Sequence, residues 1–216
     1  MTGRIIDISL PIQPGLPTWP TSEGFATRRA MAIEAGDPAN VTVVEMDVHT
    51  GTHVESGLHF LADGAPIESL ALDQLVGVAD VVEVPGDRVT AAALAAAGVP
   101  HDCRRLLVKT ANSARWAAGW GPFDPVYVSL TPDAARWIAE RGIVLVGIDH
   151  LSIQTWEDDG ETHRTLMRAG IAILEGLNLA DAAPGRYTLV AAPIRLVGTE
   201  AAPARALLIE SGTVAP

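Results

Sequence analysis

Short apolar runs separated by proline- and glycine-rich breaks set the pattern of this chain. Arg4 to Leu10 has the character of a short strand and stops at Pro11. From there Pro11, Pro14, Pro17 and Pro20, with Gly15 among them, exclude a helix and predict a rigid extended loop carrying Trp19. Phe25 to Glu34 reads as a strand. In Asn40 to Val48, Val44, Met46 and Val48 alternate with Val41, Val43, Glu45 and Asp47. That alternation predicts a half-buried strand, with Glu45 and Asp47, which share the parity of His49, in solvent rather than supporting that histidine from behind.

Phe60 to Leu75 reads as loop and short helical turn, with a turn at Asp63-Gly64. Gly77 to Val84 is a strand. Thr90 is placed to cap a helix over Ala91 to Ala97 that stops at Gly98. Leu106 to Thr110 is a buried strand, and Tyr127 to Leu130 a short one. Thr131-Pro132 has the form of a cap followed by proline in the first helical position, and that helix runs to about Arg141 before Gly142. Ile143 to Ile148 is apolar throughout, as a central strand is. A helix from near Glu161 ends at Ala169-Gly170. Ile171 to Leu174 forms a strand closed by Glu175, and Tyr187 to Ala192 and Ala206 to Glu210 are the last two strands. Strands and helices mix without strict alternation, no repeat or linker interrupts them, and a single α/β domain over 1–216 is expected.

Charge and cysteine content narrow the picture. Asp and Glu outnumber Lys and Arg by 26 to 15, a formal charge of −11, which repels phosphate backbones and argues against nucleic-acid binding. The single cysteine, Cys103, has no internal disulfide partner and fits a cytoplasmic setting. Met1 to Leu10 lacks a basic segment leading into a long apolar run, so no secretion signal is expected. No run is long enough for a membrane span.

The chemistry concentrates in His49-Thr50-Gly51-Thr52-His53-Val54-Glu55-Ser56-Gly57-Leu58-His59, which holds three of the six histidines. Positions 49, 53, 55 and 59 are all odd, so an extended chain would project them to one side. Thr50, Thr52 and Val54 are β-branched and Gly51 and Gly57 are poor helix formers, so a strand running into an irregular turn is predicted. Imidazoles with a carboxylate suit zinc or manganese with an open position. His163 and Glu175 are further candidates, although pattern alone does not favour Glu175 over Glu157 or Asp158. His150 closes an apolar strand and is a weaker candidate. His101 reads as solvated and Cys103 as a packing residue. Ser129 and Ser152 lack the glycine frame of a nucleophile elbow, and no phosphate-binding loop is present.

The run His49-x-Gly51-Thr52-His53-x-Glu55-x-Gly57-x-His59 resembles the signature of the cyclase family of metal-dependent hydrolases, which includes bacterial kynurenine formamidase, isatin hydrolase and aromatic polyketide cyclases. Asp7 to Pro20, Leu107 to Thr110, Val146 to Ser152, His163 and Gly170 to Leu177 resemble further segments of that family, nearly the full length of the chain. The resemblance implies a swivelling β/β/α fold with a β-barrel-like core, and a dimer. It implies His49, His53 and Glu55 as ligands of a first divalent ion, Glu55, His163 and Glu175 as ligands of a second, His59 as the catalytic histidine, and Trp19 as an aromatic contact for the substrate. The expected activity is hydrolysis of a C–N amide bond in an aryl formamide or lactam. The alternative is polyketide cyclisation, with the same site promoting enolisation and ring closure; a non-catalytic binder ranks third. The chain departs from the family pattern at Glu55, usually aspartate, and at Gly57, usually proline. Gly57 is expected to loosen the turn presenting His59.

Overall fold

The computed structural model describes residues 3–119 and 121–210. The strands are β1 (Ile5–Asp7), β2 (Phe25–Met31), β3 (Val41–Met46), β4 (His53–Glu55), β5 (Val76–Glu83), β6 (Arg105–Lys109), β7 (Leu145–Ile148), β8 (Ala172–Glu175), β9 (Gly185–Val190), β10 (Ala201–Pro203) and β11 (Leu207–Glu210). The helices are α1 (Leu72–Leu75), α2 (Ala91–Ala96), α3 (Asn112–Ala118), α4 (Pro132–Ala139) and α5 (Glu161–Arg168).

Nine strands form one strongly curled, half-barrel sheet in the order β1-β11-β9-β5-β6-β7-β8-β4-β10. The run from β5 to β8 is parallel and the flanks are antiparallel. The central strands are buried on both faces, as their uninterrupted apolar sequence requires. Alternate residues enter two cores. Leu107 and Leu174 pack inside the curl with Val54 and Leu189, whereas Leu106, Val108 and Ile173 pack against Leu94, Ile138 and Leu166 of the helical layer. Thr90 caps α2 by accepting a hydrogen bond from the Ala93 amide (3.1 Å).

The structure departs from the sequence reading in four places. β3 is not half-buried: it pairs only with β2, in a hairpin outside the main sheet, and Val44 is 51% exposed. Among the described residues no layer covers either face of that hairpin, so its alternation never acquires an inside. Tyr127 to Leu130 is not a strand, and Leu130 alone makes bridges. The Asn112 side chain takes up the Val128 backbone instead, donating to its carbonyl (2.7 Å) and accepting from its amide (3.1 Å). Helix α3 and strand β10 were not anticipated.

Candidate metal centre

The histidine-rich stretch is presented by turns at both ends of a very short strand. After β3, the Asp47 carboxylate accepts from the His49 amide (2.9 Å) and the Thr50 hydroxyl (3.2 Å), and Gly51 turns at φ +69°. Asp47 is therefore a turn-holding residue rather than a merely solvated one, and His49 stands on a turn rather than on an extended face. Only His53 and Glu55 lie in β4, two residues apart and both buried. His59 comes from a single 3₁₀ turn, Gly57–His59. That turn is held by hydrogen bonds from Leu58 N to Ala65 O (3.1 Å) and from Leu61 N to Gly57 O (2.9 Å). Gly64 packs directly on it: a Cβ there would fall 2.2 Å from Gly57 O. The looseness expected from Gly57 is thus taken up by Gly64.

β4 lies between β10 and β8, in a register that sets His53 opposite Glu175. The approach is close because Gly176 follows. It adopts φ +67°, and a Cβ on it would lie 2.3 Å from Gly51 O. The Thr52 hydroxyl secures the junction, donating to Gly176 O (2.5 Å) and accepting from Leu10 N (2.8 Å).

Glu55 sits among four imidazoles. Its Oε1 is 3.0 Å from His49 Nδ1 and 3.4 Å from both His53 Nε2 and His59 Nε2, and its Oε2 is 3.3 Å from His163 Nε2. Glu175 completes the group, 3.4 Å from His53 Nε2 and 3.2 Å from His163 Nε2. Two rings are oriented from behind. Gly51 O lies 2.9 Å from His53 Nδ1 and Gln154 Oε1 lies 2.5 Å from His163 Nδ1, so both rings turn Nε2 toward the carboxylates. Phe60 stacks on His163 at 4.3 Å, and the Ile153 amide donates to Glu175 (2.6 Å).

Burial by itself pushes the His53 and His163 imidazoles down, but Glu175 and Glu55 outweigh it and hold them at about 10 and about 9. Glu55 responds in the opposite sense: burial raises its carboxyl, and the surrounding imidazoles bring it well below the ordinary value. His59 is shifted below its ordinary value, mainly by burial.

The donor set fits a divalent metal. His49 Nε2 is buried with no hydrogen-bond partner among the described residues, and Glu55 Oε2 has none beyond its 3.3 Å ion-pair approach to His163 Nε2. The 3.4 Å approach of Glu200 to His49 Nε2 lacks hydrogen-bond geometry. Unpartnered buried polar atoms are costly, and nitrogen and carboxylate donors suit zinc or manganese. The ligand atoms of His49, Glu55 and His59 lie within 4.8 Å of one another, as do those of His53, Glu55 and Glu175, so Glu55 belongs to both trios. This grouping differs from the one the resemblance implies, which joins His49 with His53 and His163 with Glu175.

The centre opens into a cavity of about 170 Å³ lined by Trp19, His49, His59, Phe60, Gln154 and His163. Trp19 packs against Phe123 (5.2 Å) and Trp156 (5.1 Å). Phe60, Gln154, Glu200, Phe123 and Trp156 were not anticipated. Glu200 directly precedes β10, the strand the sequence reading missed. His150 does not join the cluster and stacks on Tyr127. His101 is exposed; Cys103 is buried, its thiol pushed up to about 12 chiefly by burial.

A family model described as "Putative cyclase" matches residues 6–155. The chain belongs to the cyclase family. Cyclase-like protein 3 of Arabidopsis thaliana is 38% identical over 96% of this chain and 80% of its own length. A structure described as a potential metal-dependent hydrolase with cyclase activity superposes with a TM-score of 0.83 at 36% identity, over 96% of this chain and 98% of the other. Isatin hydrolase A from Ralstonia solanacearum shares the fold, with a TM-score of 0.81 at 22% identity over 96% and 92% of the two chains.

Proposed function

We propose that this cyclase-family protein is a metal-dependent hydrolase that cleaves a C–N amide bond of an aryl formamide or lactam. The observation that carries the reading is the position of Glu55, a buried carboxylate whose oxygens lie 3.0–3.4 Å from His49, His53, His59 and His163. A fold neighbour that hydrolyses isatin, itself a cyclic amide, supports the substrate class. His49, His53 and Glu55 would hold one zinc or manganese ion, and Glu55, His163 and Glu175 a second where two are bound. Such an ion supplies Lewis-acid polarisation and activation of water. His59 reaches the cavity, and its lowered affinity for protons keeps it free to take one up and pass it to the leaving nitrogen. Trp19 walls the cavity with an aromatic face for the ring of the substrate.

No helix among the described residues is long and apolar enough to cross a membrane; we place the protein in the cytoplasm. We also place a dimer contact on the β2–β3 hairpin, which exposes Val41, Val43 and Val44. Sedimentation of Val44→Glu against wild type tests that contact.

Incubating the metal-loaded protein with formanilide and with isatin, followed by mass spectrometry, tests the reaction. Isatin opened to a product heavier by one water, or formanilide split into aniline and formate, supports hydrolysis; loss of water from a polyketone, with both amides untouched, supports cyclisation instead. His59→Ala is expected to keep the metal and lose about 10²–10⁴-fold in turnover. Full activity in a folded His59→Ala protein contradicts the assignment of His59.

A further inference from the structure

A second cavity, of about 200 Å³, lies beside the metal pocket and is lined by Pro17, Trp116, Phe123, His150 and Leu151 among others. Leu151 lines both spaces, and Trp19 in the metal pocket touches Phe123 in the second. The metal pocket, at about 170 Å³, is smaller than a small-molecule site usually is, roughly 300 Å³ or more. The two together reach that range.

Among the described residues, the side-chain polar groups named around the second cavity are committed, with His150 as the exception. Trp116 Nε1 donates to Asp149 O (3.0 Å), the Asn112 amide serves Val128, and Arg115 pairs with Asp124 (3.2 Å). His150 is 6% exposed, and its Nδ1 is buried with no hydrogen-bond partner among the described residues. Its ring is fixed by stacking on Tyr127, with centroids 3.8 Å apart and planes 12° apart. Burial is the main influence that pushes this imidazole down to about 3, so it remains uncharged across the physiological range. An uncharged imidazole offers one donor and one acceptor, and suits a neutral polar group better than an ion.

We infer that this cavity is a second substrate compartment, which takes a planar aromatic group bearing one neutral hydrogen-bonding substituent, and that His150 is its recognition residue. Its role in the reaction rests on the amide-hydrolase reading above; its existence as a binding site does not.

Phenol is the probe. In metal-loaded protein labelled with ¹⁵N-histidine, phenol is expected to shift the His150 ring resonances saturably. Those resonances are assigned by their absence in His150→Phe. That variant keeps an aromatic ring against Tyr127 and is expected to bind phenol about tenfold more weakly, the loss of one hydrogen bond, while toluene binds both proteins alike. If the variant does not fold, the His150 ring resonances are assigned by through-bond correlation to its own backbone, and the wild-type titration decides alone. A phenol response confined to His59, no response at His150, or undiminished phenol binding in a folded His150→Phe overturns the proposal. In turnover, His150→Phe should raise KM for a biaryl formamide hydroxylated on its distal ring relative to the unhydroxylated parent; an unchanged ratio contradicts the substrate role. Failure of wild type to hydrolyse either compound refutes the hydrolase reading and leaves the phenol titration to decide the compartment.

Discussion

Loading the centre with zinc should release protons, and the electrostatics of the cluster set the number. In the metal-free protein Glu55 and Glu175 hold the His53 and His163 imidazoles at about 10 and about 9. Near pH 7.5 both rings therefore carry the extra proton on the nitrogen facing the carboxylates. A ligating imidazole must be unprotonated, so filling both positions expels about two protons, one with each ion. Release falls toward about one as pH rises past 9, and vanishes above about 10. The affinity for each ion should accordingly climb with pH, by up to about one decade per unit below pH 9, and flatten beyond 10. Calorimetric titration with zinc in buffers of different ionisation enthalpy reads the count as the slope of apparent enthalpy against buffer enthalpy. A slope of zero near pH 7.5, or affinity that falls as pH rises from 7 to 9, refutes the coupling of these imidazoles to Glu55 and Glu175.

The same groups govern the metal-free protein. Because the folded-state values of His53 and His163 are raised, their stabilisation is complete below the unfolded value of 6.5 and lost as pH rises through about 9 to 10. Thermal melts with chelator should drop over that window, and a flat profile contradicts the assignment. Gly176→Ala should cost about 3 kcal/mol, combining left-handed backbone strain with a Cβ 2.3 Å from Gly51 O, and should weaken zinc binding by displacing Glu175. Gly170→Ala, at φ +72° with open space around it, should cost only about 1–2 kcal/mol in the same urea titration; equal losses contradict the close-approach argument. Asp149 accepts from the amides and hydroxyls of both Thr110 and Ser113, at 2.6–3.0 Å. Asp149→Asn should destabilise by about 3 kcal/mol, because its amide group would face buried donors; a loss below about 1 kcal/mol in urea titration would show that the network tolerates the swap.

Elements whose character is local were legible in the sequence. β5, β6, β7 and β8 are apolar runs bounded by Gly, Pro or charge, and α2 and α4 carry their own stop signals in Gly98 and Gly142. Elements made by distant partners were not. β10, Ala-Ala-Pro, has neither branched residues nor alternation and exists through its pairing with β4. The start of α3 has no capping side chain at Ala111: the Asn112 amide is held by Thr110, and the Ser113 amide by Asp149, 36 residues away. β3 has the alternation of a half-buried strand without a layer to bury it. At the site, the spacing of His49, His53, Glu55 and His59 announced a cluster, although turns rather than strand geometry bring it together. His163 and Glu175 were candidates by position, but only the family resemblance set Glu175 apart from Glu157 and Asp158, and the closeness of Glu175 to His53 depends on Gly176. Gln154 and Glu200 gave no local signal, because each is defined by the histidine it faces.

The most direct test of a Glu55-centred metal site is an anomalous difference map from crystals of the metal-loaded protein, collected at the edge of the ion. One or two peaks are expected at about 2.0–2.2 Å from the Glu55 carboxylate, with His49 or His53 in the same coordination sphere. A map without a peak beside Glu55, with the histidines still paired to Glu55 and Glu175, would contradict it.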